Sequence, residues 1–194
     1  GSRRTIFLAP PLESGARRAL AELELTWGRP AEAWSALRDL PSDTASARMW
    51  EEFGRRALDE ERFSIARDAL AAAATVNHGR PLRLSAATAA LRAGSPGNVF
   101  ALIPLSDLES SPADAARDYL PLHVEALAAL GRGAEAEALV AKYDRWLAPG
   151  QRTRLARTLA NAWVRAGNLP RARAALRVAG ADADSSDAAG WLAL

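Results

Sequence analysis

The chain has 194 residues, of which 49% are hydrophobic, enough for one sizeable core or one stacked array of helices. It contains no cysteine, which excludes disulfide bonds, thiolate metal ligands and a cysteine nucleophile. The 25 basic and 23 acidic side chains leave a formal net charge of only +2, which gives weak support for a nucleic-acid partner. β-Branched residues are sparse, which argues against sheets. Arginine supplies nearly all of the basic charge, as is typical of GC-rich bacterial genomes, and Lys142 is the one lysine.

Residues 1–12 are expected to precede the helices. Gly1-Ser2 is typical of a remnant left by an expression tag, and the apolar, proline-ended stretch Ile6–Pro11 predicts an extended segment lying on the first helices. No apolar run approaches the roughly 18 residues that a membrane span needs. Localisation is therefore not indicated by any segment of this sequence.

The first predicted unit, residues 14–41, pairs helix Ser14–Trp27 with helix Pro30–Leu40. Pro30 suits the first turn of a helix, where its missing N–H is not needed, and Pro41 ends the second helix. The expected core residues of this unit are Leu20, Leu23, Trp27, Trp34 and Leu37.

The second predicted unit, residues 44–76, has large and small residues at helical spacing. Trp50 and Phe53 are followed on one face by Gly54 and Ala57, small enough for two helices to touch. After the acidic interruption at residues 59–61, a second apolar face contains Phe63, Ala66, Leu70 and Ala73.

The third unit, residues 80–105, is predicted to be the most irregular. Helix Pro81–Ala93 precedes a short, β-branched segment, Gly97–Leu105, with Pro104 near its end. We expect a loop over Ser106–Ser111.

The fourth unit, residues 112–147, begins with a helical pattern from Ala113 to Leu130 that contains Pro121. Because proline removes a hydrogen bond and clashes with the preceding turn, this pattern predicts a kink or break near Ala116–Leu120. The second helix, Gly133–Leu147, is expected to bury Val140, Tyr143 and Trp146.

The fifth unit, residues 151–179, pairs Gln151–Ala166 with Pro170–Val178, and residues 185–194 resemble the opening of a sixth. Since the apolar pattern of the last residues has no partner helix, we expect a fragment of a longer protein. The uncovered helix would pack back on the fifth unit and promote self-association.

A recurring turn links these units. Gly28, Gly94, Gly131 and Gly167, with Glu61 in place of a glycine, stand 33, 33, 37 and 36 residues apart in chain order. In most units an alanine follows five residues later. Together with the large and small residues of the second unit, this period resembles the tetratricopeptide repeat, a helix–turn–helix unit of about 34 residues. The resemblance implies an all-α fold: a right-handed superhelical solenoid of about five helix pairs plus a terminal helix, formed as one array over residues 13–194.

In this family the first helix of each unit lines a concave groove that binds a peptide or protein segment. Arg157 and Asn161 occupy the places that hold lysine and asparagine in members that grip a C-terminal carboxylate, although the rest of that clamp would lie in following units. Eight arginines and no acid fall between Arg145 and Ala181, a pattern that indicates either a surface for an anionic partner or a solvated arginine-rich face. The ligand-binding residues that the resemblance implies are Arg55, Arg92, Arg154, Arg157, Asn161 and Arg165. Apolar contacts would come from Leu25, Leu58, Leu84 and Leu91.

Enzyme chemistry finds little support, and we expect no catalytic residue, metal or cofactor. His123-Val124-Glu125 matches the H-x-E portion of zinc deaminases, but those enzymes also need cysteine ligands, so His123 is interpreted as structural. Asp182, Asp184 and Asp187 lack the glycine and glutamate of a calcium loop. The sequence therefore favours a non-catalytic protein-binding scaffold. The alternatives are a structural or sensor arm of a larger protein and, with less support, a nucleic-acid-binding helical repeat.

Overall fold

The computed structural model describes residues 13–180, apart from the side chain of Ala115, and this part of the chain is all-α without a strand. It confirms the predicted fold class, while the solenoid arrangement stays a prediction. The predicted helix of residues 185–194 and the predicted lead-in of residues 1–12 lie outside the described residues. None of the described helices is both long enough and apolar enough to span a membrane.

The helices divide between two compact units, residues 1–78 and residues 79–194. The first unit contains α1 (Ser14–Thr26), α2 (Pro30–Leu37), α3 (Thr44–Asp59) and α4 (Phe63–Ala74). The second contains α5 (Arg80–Arg92), α6 (Asn98–Leu102), α7 (Leu105–Ser110), α8 (Pro112–Asp118), α9 (Leu120–Ala129), α10 (Gly133–Tyr143), a 3-10 turn (Asp144–Trp146), α11 (Pro149–Arg165) and α12 (Leu169–Gly180).

The five predicted turn positions share one backbone conformation. Gly28, Gly94, Gly131 and Gly167 have φ between 71° and 73°, and Glu61 has φ 58°. At each turn the next residue donates its N–H to a carbonyl five positions back, as Arg29 does to Glu24 at 2.8 Å. The positive φ and this hydrogen bond together form the Schellman motif. It provides hydrogen-bond donors for the last carbonyls of the helix and reverses the direction of the chain. The sequence period therefore marks a repeated helix–turn–helix ending.

The first unit is held together most closely at α3 and α4. Trp50 is buried and donates its indole Nε1–H to the carbonyl of Leu37 in α2 at 2.8 Å, so it joins α3 to the preceding helix. The ring of Phe53 stacks on Trp34 with centroids 5.9 Å apart. Ala66, Leu70 and Ala73 of α4 are fully buried.

The expected core of the first helix pair is partly wrong. Leu37 is buried, but Leu20, Leu23 and Trp27 are exposed, Trp27 to 56%. The reason is that α1 has its main contact with α2 and buries only Ala21, so its other apolar side chains remain at the surface. The guanidinium of Arg29 lies 5.5 Å from the centre of the Trp27 ring.

The third unit also departs from expectation, because residues 105–110 form the helix α7 where a loop was predicted. Pro104 forces Ile103 into an extended conformation (φ −131°, ψ 87°), which ends α6 early. Pro104 then serves as the N-cap residue of α7, whose Leu108 is fully buried and anchors the new helix.

The predicted break before Pro121 is confirmed. Helix α8 ends at Asp118, and α9 begins at Leu120, with Pro121 in its first turn. Beyond α9, the predicted second helix of this unit is shorter than expected, since α10 ends at Tyr143 and a 3-10 turn follows. Tyr143 is buried, whereas Val140 and Trp146 are half-buried. The core of the second unit includes Leu120, Val124, Leu155 and Leu159.

Candidate functional site

Within the second unit, α9 contacts both α5 and α11. Each of these helices is the first of a predicted pair. The second helices α6 and α10 pack against α9 as well, and α12 packs against α11. Of these helices, α5 contains the predicted binding residue Arg92, and α11 contains Arg154, Arg157, Asn161 and Arg165.

Helix α11 has two chemically different faces. One face buries Leu155, Leu159 and Trp163 in the core of the second unit. On a helix of 3.6 residues per turn, the opposite arc contains exposed side chains without a single acid. These exposed residues are Arg154, Arg157, Asn161, Val164 and Arg165.

The arginines of this arc differ in their contacts. Arg154 is 70% exposed and forms an ion pair with Glu125 of α9, with 3.1 Å between the guanidinium and the carboxylate oxygen. Arg165 donates from Nε to the carbonyl of Asn161 at 3.4 Å, and no carboxylate in residues 13–180 lies within ion-pair distance of it. Arg154 is thus paired with an acid of the neighbouring helix, whereas Arg165 has no carboxylate partner among the described residues.

The neighbouring helix α5 adds apolar surface and a further cation. Leu84 and Leu91 pack against the core cluster but remain half-buried. Arg92 is exposed at the end of α5. A surface with both leucine edges and arginines can hold a segment that has apolar and acidic side chains.

Arg55 belongs to the first unit, whereas the other five predicted residues belong to the second. It lies on α3 and forms an ion pair with Glu51, one helical turn earlier, at 2.7 Å. Leu25 and Leu58 are half-buried in the same unit. Because Glu51 already occupies its guanidinium, Arg55 is a weaker candidate for binding an anion.

A second cluster of arginines has a structural role that the sequence pattern did not reveal. Arg80 of α5 contacts Asp118 of α8 at 2.5 Å, and Arg83 contacts Asp107 of α7. Both guanidinium groups also lie over the ring of Tyr119, 5.0 Å and 5.8 Å from its centre. These contacts fasten α7 and α8 to α5. No local motif predicts them, since the partners stand 24 to 38 residues apart.

His123 is fully buried in α9 and takes part in packing, as predicted. Its Nδ1 lies 3.2 Å from the carbonyl oxygen of Tyr119, and its ring meets Phe100 edge-on with centroids 5.4 Å apart. Burial lowers the pKa of His123 below its ordinary value, partly opposed by backbone hydrogen bonds and by Asp107. A neutral, enclosed imidazole suits a core position.

Within the part of the chain that the structure describes, no group of three or more histidine or acidic side chains converges as a metal site would require. Comparisons of the chain with protein-family models, with curated proteins and with solved structures found no match.

Proposed function

We propose that the chain is a non-catalytic scaffold that binds an acidic peptide segment on the face formed by α5, α9 and α11. The observation that carries the proposal is the exposed arc of α11, which presents three arginines, an asparagine and a valine on a helix without any acid. The binding surface is defined as Leu84, Leu91, Arg92, Arg154, Arg157, Asn161, Val164 and Arg165.

The arrangement of helices supports this proposal. The five shared turns and the adjacency of α5, α9 and α11 are what a tetratricopeptide-like array would have, with first helices lining a groove. We extend this to the solenoid of about five helix pairs predicted from the period. A peptide held there would run across several helices and contact each one.

The charges favour an acidic partner over a neutral one. Guanidinium groups form paired hydrogen bonds with carboxylates, and each charge-assisted bond contributes about 1.5–3 kcal/mol when water is excluded. Glu125 already pairs with Arg154, so an incoming carboxylate would compete with an acid of the protein itself. This competition selects partners with more than one acidic side chain.

Fluorescence anisotropy can test the proposal with labelled peptides of about ten residues that alternate glutamate with apolar residues. The matched control peptides have glutamine in place of glutamate. We expect binding of the glutamate set alone, and we expect it to weaken as salt rises from about 50 to about 300 mM, because the contacts are partly exposed.

Two double variants locate the site. Arg154→Gln with Arg165→Gln should weaken binding at least tenfold, about 1.4 kcal/mol or more. The control, Arg173→Gln with Arg177→Gln, removes the same charge from exposed positions of α12. Equal losses in both would mean that net charge, not this surface, attracts the peptide. Tighter binding of single-stranded oligothymidine than of any peptide would favour the nucleic-acid alternative instead.

A further pair of peptides tests whether Arg157 and Asn161 bind a C-terminal carboxylate, as the resemblance to the tetratricopeptide repeat implies. If Arg157 and Asn161 hold a chain terminus, a peptide with a free C-terminus should bind more tightly than its amidated form. Arg157→Ala with Asn161→Ala should then abolish that difference. Both side chains are exposed, so the thermal melt should change little.

A further inference from the structure

A separate cleft opens in the second unit where α7 and α8 meet the end of α10. Its volume is about 450 Å³, within the range of small-ligand sites. It is lined by Glu109, Pro112, Lys142, Tyr143, Arg145 and Trp146.

The wall of the cleft contains two aromatic rings. Tyr143 is buried, and its ring lies 5.7 Å from that of Trp146, which is half-buried. The 3-10 turn that follows α10 holds Arg145 and Trp146 next to each other.

The guanidinium of Arg145 stacks on this wall, with 3.8 Å between its central carbon and the centre of the Trp146 ring. Stacking occupies the face of a guanidinium but leaves its in-plane N–H donors available. The adjacent acid, Asp144, is bound by Arg152 at 2.7 Å, and Arg145 has no ion pair with any carboxylate of the described residues. The in-plane N–H donors of the Arg145 guanidinium are therefore available for a ligand beside the aromatic ring of Trp146.

The net charge of the residues that line the cleft favours a ligand with one negative charge. Lys142 and Arg145 contribute two positive charges and Glu109 one negative charge. Lys142 is paired with Glu109 at 2.9 Å, which leaves one formal positive charge. One negative charge on a ligand balances this charge, whereas a second would meet Glu109 with no further net positive charge to offset the repulsion.

We propose that this cleft binds a carboxylate that has an aromatic substituent, with the carboxylate on the donor fork of Arg145 and the aromatic group against Trp146. A free aromatic acid and the C-terminal residue of a peptide share this chemistry. The site is independent of the peptide-binding surface on α5, α9 and α11.

NMR of the tryptophan indole N–H signals provides the test, because Trp146→Phe identifies the signal of Trp146. The probe is N-acetyl-phenylalanine, and its amide is the uncharged control. We expect the acid to shift the Trp146 signal in a saturable way and to bind at least tenfold more tightly than the amide. Equal shifts from both compounds, or no saturable shift, would overturn the proposal.

Three variants and one control variant measure how each charged side chain affects the affinity. Arg145→Ala should weaken binding about tenfold, and Arg145→Lys should restore it only in part, because lysine lacks the planar fork. Glu109→Gln should tighten binding by about threefold or more, since it removes a repelling charge. Arg173→Ala, an equal charge loss on α12, should leave the affinity unchanged. A similar loss with Arg173→Ala, or weaker binding with Glu109→Gln, would refute the assignment.

A second titration separates the two sources of the ligand. A pentapeptide ending in phenylalanine is compared with free N-acetyl-phenylalanine. Binding of both, each dependent on Arg145, identifies peptide termini as ligands, whereas binding of the free acid alone identifies a small aromatic acid.

Discussion

Gly54 of α3 lies directly against Leu70 of α4. A Cβ atom placed on Gly54 would stand 2.7 Å from Cγ, 2.9 Å from Cδ2 and 3.1 Å from the backbone nitrogen of Leu70. Real Cβ atoms essentially never come within 3.0 Å of another atom, so the Leu70 side chain would have to shift, and the backbone nitrogen at 3.1 Å would also have to yield by a few tenths of an ångström. The close approach of α3 and α4 therefore depends on a residue without a side chain at position 54.

The first prediction follows from this contact. Gly54→Ala should destabilise the first unit by roughly 1–3 kcal/mol, as overpacking in a close-packed core does. Urea unfolding followed by circular dichroism measures the change. Gly15→Ala is the matched control, because a Cβ at Gly15 in α1 meets nothing within 4 Å and should be neutral or slightly stabilising. Equal stability of the two variants would contradict the close approach.

A second prediction concerns the repeated turns. Gly94 has φ 71° and open space around it, so Gly94→Ala should cost about 1 kcal/mol through backbone strain alone. Glu61 has φ 58° in the equivalent turn, so Glu61→Gly should stabilise the protein by up to about 1 kcal/mol. Thermal melts of both variants should shift in opposite directions. A shift in the same direction would mean that side-chain contacts, not φ, dominate at these positions.

A third prediction concerns Trp50. Trp50→Ala should destabilise the protein by roughly 3–5 kcal/mol, because it removes a buried aromatic ring together with the hydrogen bond to Leu37. Trp27→Ala offers the control, since Trp27 is 56% exposed and should cost far less. If both substitutions shift the melting temperature equally, the assignment of Trp50 to the core is wrong.

The fourth prediction uses the buried histidine. The pKa of His123 is lowered in the folded state relative to its ordinary value of 6.5, so the unfolded chain binds the proton more readily. The stability from a neutral His123 is therefore fully present above about pH 6.5 and is lost as pH falls towards the lower pKa of the folded state. The loss cannot exceed about 1.4 kcal/mol per pH unit for one proton.

Urea unfolding at about pH 7.5 and about pH 5.5 measures this dependence. His123→Gln should flatten it, while His78→Gln should not, because His78 is exposed. The chain has only these two histidines, so the comparison isolates one group. A pH dependence that persists in His123→Gln would assign it to other groups.

The sequence by itself determined the local features of this protein. Helical periodicity gave the helix pairs, and the spacing of Gly28, Glu61, Gly94, Gly131 and Gly167 located five turns of equal geometry, because a left-handed helix ending is set by residues close in sequence. The break before Pro121 was predictable because proline disrupts the helical turn that precedes it. The helix contact at Gly54 was predictable because a residue without a side chain lets two helices touch. Four residues of the exposed arc of α11, Arg154, Arg157, Asn161 and Arg165, are those that the resemblance to the tetratricopeptide repeat implied.

Only the tertiary structure decided which of these surfaces are covered and which charges are paired. Leu20, Leu23 and Trp27 have an apolar pattern but remain exposed, because burial depends on whether another helix lies over them. Residues 105–110 form a helix in which Leu108 is fully buried, and this burial depends on the helices around it. The pairing of Arg154 with Glu125, and the cleft beside Trp146, join residues about 30 positions apart, and no local rule specifies which distant side chains a fold brings within a few ångströms.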